Sequence, residues 1–367
     1  MHYNDVMDID LDGLTARLSR LATHYDVIGQ WPEKSLKHLE AAHAWKWVIP
    51  KAYGGLEFDP SSLLRAYEAV AAGCMSSLLI LTQRDGACEF IAATENEELK
   101  REWLPRLAGN EIMTSVGISQ LTTSHQTGRP TLSAKEDGRN FRLRGFIPWV
   151  TSAEKCRIFV TGAVLDDGRQ ILAVLPTDLP GVTIDPPMKL MCLESSLTTE
   201  IHCKDVLLER KYLLRGPAER VLASRSTVKP LVVAVSGVGH AGAMMRVIMI
   251  GASKSEGPLV AHAAELAARF DAVRERVLKF TDDLESPGAD VPHTELRVAV
   301  NDLLMRLGVA VLTYSKGSGL LRQRDAQRLV REAMFFIVWS APEKVRAGTL
   351  ARLLENQVPH QRVMDVE

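Results

Sequence analysis

The segment from Gly138 to Val164 combines a strand-like alternation with an aromatic ring and a hydroxyl group. Apolar and basic residues alternate over 141–145, which is the period of two that a β-strand shows. Trp149, Val150 and Thr151 then follow in succession. A large flat ring beside a small hydroxyl suits core packing, and it also suits a flat ligand that needs an apolar wall and a hydrogen bond. At this point both interpretations stay open.

A second segment, GVGHAG at 237–242, has the glycine spacing of a nicotinamide-dinucleotide turn. Such a turn joins a strand to a helix inside alternating βαβ units and is followed about twenty residues later by an acidic residue. No alternating strand and helix pattern surrounds this segment. About twenty residues further on the chain reads HAAELAA, which is not a strand ending in an acidic residue. The pattern favours a close-packed helix in which His240 is a packed or hydrogen-bonded histidine.

The composition indicates a soluble globular protein with more than one domain. The chain has 367 residues, 46% hydrophobic and 24% charged, and its net charge of −1 points neither to nucleic acid nor to an anionic membrane. The five cysteines show no CxxC spacing, so we expect a reducing, cytoplasmic location and no metal site. The acidic N-terminus lacks the apolar core of a secretory signal. The most apolar stretch, 230–252, contains His240 and Arg246, which favours a buried helix over a membrane span.

Three blocks with different predicted secondary structure follow one another along the chain. Residues 1–111 show leucines at helical spacing, 112–215 show strand-like runs separated by turn signals, and 216–367 are helical again. The helix in EELKREWLPRLAGNE is predicted to end at Pro105 and Gly109. The order α, β, α predicts an α+β protein in which a sheet domain of antiparallel strands lies between two helical domains.

Four segments, in chain order, resemble motifs of the acyl-CoA dehydrogenase family of flavoproteins. IPKAYGGLEFDP is similar to a Pro-x-x-Tyr-Gly-Gly loop, and LPRLAGNEIMTSVGIS to the link into the central domain. GRNFRLRGFIPWVTSA is similar to the strand pair with Trp-Ile-Thr, and SSLTTEIHCKDVLLERKYLL to the end of that domain. The resemblance covers nearly the whole chain. It implies an N-terminal helical domain (1–111), a central antiparallel β-barrel domain (112–215) and a C-terminal helical bundle (216–367).

The resemblance also implies where a flavin would bind. In the family, the Trp-Ile-Thr segment lies against the flavin ring, so Trp149 would pack beside the ring and Thr151 would hydrogen-bond near its reactive N5. The first strand of the domain holds the other edge of the ring, and here Ser119 stands where the family has Thr. The expected flavin-binding residues are Val116, Ile118, Ser119, Trp149, Val150 and Thr151.

The catalytic base of the family is the main departure. In most members a glutamate follows an Arg-Asp-Ala helix, but the matching stretch REAMFFIVWSAPEK places Ser340 at that position. A serine hydroxyl is no base near pH 7 without a helper. A second position used by some relatives holds Val228, and Glu343 lies beyond Pro342, which would break the helix. His125, in the loop that faces the substrate in relatives, could act as a base near neutral pH, although loop histidines are commonly solvated.

The function implied is a flavin-dependent oxidoreductase with FAD that acts on the CH–CH group of an acyl thioester. Its partner would be another flavoprotein as electron acceptor, or a reductase. The segment SKSEGPLVAHAAE lacks the Arg and Gln that reach the FAD diphosphate in relatives. The alternatives are a flavin monooxygenase of the same fold, which needs no α-proton base, and a catalytically silent homologue that holds flavin or acyl-CoA. Apolar faces at 294–315 and 325–340 predict a homodimer or homotetramer. We expect no nucleic acid and no membrane as partner.

Overall fold

The computed structural model describes residues 9–122, 131–222, 228–282 and 292–355. The chain divides into two compact units, Met1–Ser226 and Thr227–Glu367. The N-terminal unit holds both a set of helices and the whole sheet, and the C-terminal unit is helical. The further division of the first unit near residue 112 stays a prediction.

Five helices open the N-terminal unit. They are α1 Leu11–Ile28, α2 Glu33–Ala41, α3 Pro60–Gly73, α4 Met75–Ala92 and α5 Glu97–Ala108. Acidic or amide side chains begin three of them, since Asp10, Asp59 and Asn96 each accept a hydrogen bond from a backbone N–H of the first turn. These N-caps satisfy donors that the helix itself leaves unpaired.

The helix α5 does not end at Pro105, which corrects one part of the prediction, but Gly109 directly follows its last residue, as predicted. The helix continues to Ala108, and the Gly109 N–H donates to the Pro105 carbonyl at 2.9 Å. Leu104 and Leu107 on either side of the proline are fully buried, so packing holds the last turn although the proline ring removes one internal hydrogen bond.

A buried ion pair lies within the helical part of this unit. Arg84 and Asp85, both on α4, are 1% exposed and lie 2.9 Å apart. Arg84 also donates to the carbonyls of Trp45 and Leu107, each at 2.7 Å, and the Tyr67 hydroxyl donates to Asp85 at 2.8 Å. Because these contacts all lie inside the helical core, the pair holds α4 to its neighbours.

An eight-stranded sheet completes the unit. The strands are β1 Met113–Gly117, β2 Leu132–Asp137, β3 Asn140–Val150, β4 Cys156–Leu165, β5 Gln170–Pro176, β6 Val182–Ile184, β7 Thr199–Leu208 and β8 Leu213–Ala218. Their order is β6-β7-β3-β2-β4-β5-β8, and β1 pairs with β4. The sheet is mostly antiparallel, as expected, but β1 and β2 each pair with β4 in parallel. The parallel pairing of β1 places its end beside the middle of β4.

Five α-helices lie in the described part of the C-terminal unit. They are α6 Val228–Ala252, α7 Pro258–Asp282, α8 His293–Ser315, α9 Asp325–Val338 and α10 Glu343–Glu355. One stretch of the described chain, Leu231–Ala252, is long and apolar enough to cross a membrane, and 78% of its apolar window is buried. Such burial is typical of a core helix, which is the structure predicted for this stretch.

The GVGHAG segment lies inside α6 and directly follows helical residues, not a strand, so the helix prediction is confirmed. A Cβ at Gly237 would collide with the Val300 side chain of α8, so glycine allows the two helices to approach closely. His240 is fully buried, and its Nε2 lies 2.8 Å from the Leu329 carbonyl oxygen on α9. Burial lowers the pKa of His240 to about 3, so the imidazole is neutral and a packed, hydrogen-bonded residue as predicted.

Candidate active site

The end of β3 carries an irregularity that turns Trp149 outward. The pairing of β3 with β7 shifts register between Ile147 and Val150, and Trp149 has a φ of 59°. A bulky residue in this left-handed region is uncommon. The Trp149 side chain is 56% exposed, whereas Val150 next to it is fully buried. The bulge therefore places a flat aromatic surface on the outside of the sheet domain while the strand stays anchored in the core.

The end of β1 meets this bulge. A short 3₁₀ turn, Ser119–Leu121, follows the strand, and the Ser119 hydroxyl donates to the Pro148 carbonyl at 3.1 Å. A Cβ at Gly117 would lie 2.6 Å from Ile147 and 2.9 Å from Val150, so only glycine permits this approach. Ser119 and Trp149, 30 positions apart in the printed sequence, thus come to adjoining positions.

Thr151 lies directly after the bulge, in a network of hydroxyl groups. It is 4% exposed, and its Oγ1 lies 3.3 Å from Oγ1 of Thr198. Thr198 in turn lies 2.9 Å from the Ser196 hydroxyl, and the Ser152 N–H donates to the Ser196 carbonyl at 2.9 Å. The network fixes the position of the Thr151 hydroxyl directly after the strand that carries the exposed ring of Trp149.

The other two predicted residues have different surroundings. Val116 is 9% exposed and belongs to the core beside α4, where a Cβ at Gly86 would lie 3.8 Å from it. Ile118 is half-buried and packs at the edge of the same core. Val116 and Val150 therefore support the site from within, while Ile118, Ser119 and Trp149 keep exposed surface.

Gln120 is a residue of this site that the sequence did not reveal. It is fully buried in the turn after β1, and its Nε2 donates to the Gly117 carbonyl at 3.0 Å, to the Thr161 hydroxyl at 2.9 Å and to the Gly162 carbonyl at 2.8 Å. A glutamine next to Ser119 signals only a polar turn when the sequence alone is considered. Its burial follows from the parallel pairing of β1 with β4, which no local pattern predicts.

The C-terminal unit holds the residue expected at the base position. Helix α9 ends at Val338, and Ser340 is exposed with a φ of 44°. Arg297 on α8, 5% exposed, donates to the carbonyls of Phe336 at 3.3 Å and Trp339 at 3.0 Å. Desolvation lowers the pKa of Arg297 to about 10, so it remains a cation at neutral pH and stabilises the carboxyl end of α9. The segment that carries Ser340 is therefore held in place.

Glu343 does not share a helix with Ser340. It is the first residue of α10, and Pro342 separates the two helices, as the sequence indicated. Trp339 stacks on Phe335 with ring centroids 5.1 Å apart, which fixes its ring. His125 lies outside the described residues, as does the side chain of Val228.

One group of metal-ligand side chains occurs within the described ranges, although the sequence led us to expect no metal site. Ligand atoms of Asp185, Glu200 and His202 lie within 4.8 Å of one another at the β6–β7 edge. His202 Nε2 and Asp185 Oδ2 are 3.0 Å apart, and both side chains are more than 40% exposed. We interpret the group as a surface contact between His202 and Asp185, and we propose no metal site there.

The described residues at Trp149 fit a flat aromatic ring, because an exposed indole, a hydroxyl turn and a fixed threonine adjoin one another. A family model for the acyl-CoA dehydrogenase N-terminal domain matches residues 13–111. The probable acyl-CoA dehydrogenase YngJ of Bacillus subtilis is 25% identical over 356 residues, which cover 91% of this chain and 92% of that protein. Over most of its length the chain is similar to the acyl-CoA dehydrogenase family, at the low identity of a distant relative.

Solved structures confirm the fold predicted for this acyl-CoA dehydrogenase-like protein. A glutaryl-coenzyme A dehydrogenase in complex with glutaryl-CoA superposes with a TM-score of 0.83 at 17% identity, covering 97% of each chain. A nitrososynthase from Micromonospora carbonacea var. africana superposes with a TM-score of 0.78 at 19% identity, covering 98% of each chain. At these identities the similarity establishes the arrangement of helices and sheet and nothing finer.

Proposed function

We propose that this acyl-CoA dehydrogenase-like protein is a flavin-dependent oxidoreductase that uses FAD and acts on the CH–CH group of an acyl thioester. The observation that carries the proposal is the exposed indole of Trp149, held in a left-handed conformation beside Ser119 and next to Thr151. Left-handed backbone at a bulky residue costs of order 1–3 kcal/mol and is concentrated at functional sites. A flat cofactor ring gains an apolar wall and fixed polar groups from this arrangement.

Each residue has a distinct role in the proposed site. Trp149 and Ile118 would supply apolar contact with the ring, and Ser119 and Thr151 would supply polar groups at its edges. Val116 on β1 and Val150 on β3 are buried and anchor their strands in the core. Bound flavin would supply the two-electron redox chemistry, and these side chains would bind it, orient it and exclude water from one face.

A flavin monooxygenase of the same fold is the second candidate, and Ser340 at the base position favours it. Removal of an α-proton from a thioester needs a group such as a carboxylate, which a serine hydroxyl cannot replace without a helper. A monooxygenase reacts through oxygen and reduced flavin and has no such requirement. A catalytically silent homologue that binds flavin or acyl-CoA is the remaining alternative.

The partners and the location follow from the same proposal. Oxidation of a thioester would pass two electrons to another flavoprotein, and a monooxygenase would receive them from a reductase. None of the five cysteines forms a disulfide and all are buried, which suits the reducing cytoplasm that we propose as the location.

An absorption spectrum and an anaerobic titration test these proposals. The purified protein should show a flavin spectrum, and at least one member of a panel of acyl-CoA thioesters should bleach it without oxygen. Reduction only by an external reductase, followed by substrate-dependent oxygen consumption, would favour the monooxygenase. A protein that neither retains nor binds FAD or FMN would be the silent homologue or a binding module, and the oxidoreductase proposal would then be wrong.

A further inference from the structure

The amide of Gln120 joins three separate pieces of backbone and side chain. Its Nε2 lies within 3.0 Å of the Gly117 carbonyl, the Thr161 hydroxyl and the Gly162 carbonyl. The Thr161 hydroxyl itself donates to the Gly117 carbonyl at 2.7 Å, so it accepts from Gln120. Gly117 ends β1, while Thr161 and Gly162 lie on β4. The amide therefore ties the turn after β1 to β4.

The chemistry of this contact requires a donor. Two of the three partners are carbonyl oxygens, which only accept hydrogen bonds, and the hydroxyl uses its proton on Gly117. If the amide were rotated by 180°, its oxygen would face two carbonyl oxygens and could form no hydrogen bond with them. An ionised carboxylate at this position would face the same two oxygens. The Gln120 Oε1 has no hydrogen-bond partner within the described part of the chain, so the N–H groups alone hold this side chain.

The network extends to the proposed flavin wall in one further contact. Gln120 and Ser119 share the turn Ser119–Leu121, and the Ser119 hydroxyl donates to the carbonyl of Pro148, the residue before Trp149. Leu121 of the same turn fills the space above Gly162 on β4, where a Cβ would collide with it. Movement of the turn would thus move Ser119 and remove a hydrogen bond from the bulge.

We propose that Gln120 is the positioning residue of the flavin-binding turn, and that its amide N–H groups set the placement of Ser119 and Trp149 against the cofactor. The proposal rests on the proposed flavin-dependent function. It assigns to Gln120 no contact with substrate or cofactor, and it requires an amide, not merely a polar side chain of the same shape.

Gln120→Glu tests this requirement, because it keeps the shape and exchanges the donors for acceptors. The groups that face Gln120 from β1 and β4 are two carbonyls and a hydroxyl, all uncharged. Burial among acceptors raises the pKa of the new carboxyl, so protonation at lower pH restores one O–H donor. We expect FAD affinity to fall at least about tenfold at pH 8 relative to wild type, and to recover partly at pH 5.5. Flavin-fluorescence titrations at both pH values measure this.

Two controls separate positioning from general destabilisation. The exposed Gln30→Glu receives the same charge change and should bind FAD like wild type at both pH values. The wild-type chain keeps every native titratable group, so its own pH profile is the baseline. The absorption spectrum of the bound flavin should also shift in Gln120→Glu at pH 8 and not in Gln30→Glu. If Gln120→Glu fails to fold, Thr161→Val removes one partner of the amide and should lower FAD affinity by a smaller factor.

The outcomes distinguish failure of the proposed flavin-dependent function from failure of the role proposed for Gln120. Wild type that binds no flavin overturns the proposed function and this inference together. Wild type that binds flavin, with Gln120→Glu matching its affinity and spectrum at both pH values, overturns the inference alone. An affinity loss in Gln120→Glu of equal size at both pH values also overturns it, since a donor requirement demands recovery on protonation. If Gln120→Glu does not fold, an unchanged FAD affinity in Thr161→Val overturns the inference about Gln120.

Discussion

At the residue scale, Trp149 combines two features that are rarely found together. A single exposed apolar side chain is ordinary on a protein surface, but a bulky residue with positive φ is an outlier. Here the neighbouring contacts impose the conformation, because Val150 is buried and Ser119 binds the Pro148 carbonyl on the other side. The strand cannot relax without losing one of these anchors. We therefore interpret the exposed indole as a consequence of how the two strands meet.

Thr151→Val is expected to change flavin behaviour more than stability. The substitution removes a hydroxyl that lies 3.3 Å from the Thr198 hydroxyl, which is a weak contact, and Thr198 keeps its shorter contact with Ser196. The free energy of unfolding should fall by about 1 kcal/mol. The redox potential of bound flavin should shift, and denaturant titrations with a spectroelectrochemical titration measure the two effects. A normal potential combined with a large loss of stability would show that Thr151 serves only the fold.

The wild-type protein should be a slow acyl-CoA dehydrogenase, because Ser340 occupies the position of the base. Ser340→Glu is expected to supply that base. Loss of a positioned base typically lowers a rate about 10²–10⁴-fold. The segment is anchored by Arg297, and Ser340 already has positive φ as a residue with a side chain, so the substitution should leave the backbone in place. With an acyl thioester in the site, an apolar wall that includes Trp339 would desolvate the new carboxyl and raise its pKa toward neutrality. Anaerobic flavin reduction by at least one acyl-CoA should then become measurable.

Two results would contradict this expectation for Ser340. Rapid flavin reduction by acyl-CoA in wild type would mean that another residue is the base, with His125 and Glu343 as the candidates. A flavin-loaded variant that responds to no thioester would mean that the substrate is not an acyl-CoA. Ser318→Glu, a change at another exposed serine of the C-terminal unit, controls for the added charge.

At the element scale, local patterns in the sequence predicted the helices well but not the strand pairings around the proposed site. Helices expected over 294–315 and 325–340 are α8 His293–Ser315 and α9 Asp325–Val338, because their apolar periodicity reports the face that is buried. Pro105 misled the prediction, since tertiary packing outweighed a local preference. The bulge at Trp149 and the buried Gln120 depend on strand pairings far apart in the chain, which no local pattern encodes. The motif resemblance alone indicated Trp149.

The contact between α6 and α9 predicts acid sensitivity of the C-terminal unit. Burial lowers the pKa of His240 from 6.5 to about 3, while Arg328 and Arg246 act in the same direction. Glu332 lies 3.8 Å from Nδ1, but it is already paired with Arg328 at 2.7 Å, so the imidazole stays neutral. A lowered pKa gives stability that is complete above pH 6.5 and is lost as the pH falls toward 3. The loss between pH 6.5 and 5 should be about 2 kcal/mol.

Denaturant unfolding at the two pH values, with His240→Gln as the variant, checks this. Glutamine can still donate to the Leu329 carbonyl but does not titrate, so the variant should lose about 2 kcal/mol less than wild type over the same interval. The exposed His24→Gln is the matched control and should follow wild type. An identical pH dependence in all three proteins would show that His240 does not govern the acid response.

At the scale of the whole molecule, the C-terminal unit exposes large apolar side chains that water does not favour. Val309 on α8 is 71% exposed, Val338 at the end of α9 is 68% exposed, and Leu320 between these helices is 70% exposed. Burying one such side chain contributes about 1.5–3 kcal/mol. A surface of this kind is typical of association between subunits. It fits the homodimer or homotetramer expected from the family resemblance.

Light scattering should therefore give a mass of two or four chains, each of 40.5 kDa, at micromolar concentration. Val309→Glu should weaken the assembly at least about tenfold, because the carboxylate would have to lose its hydration on association. Leu207→Glu in the sheet, where the wild-type leucine is 38% exposed, is the matched control and should leave the mass unchanged. A wild-type monomer would contradict the prediction outright. An assembly that both variants leave intact would mean that the subunits meet on a surface other than the one around Val309.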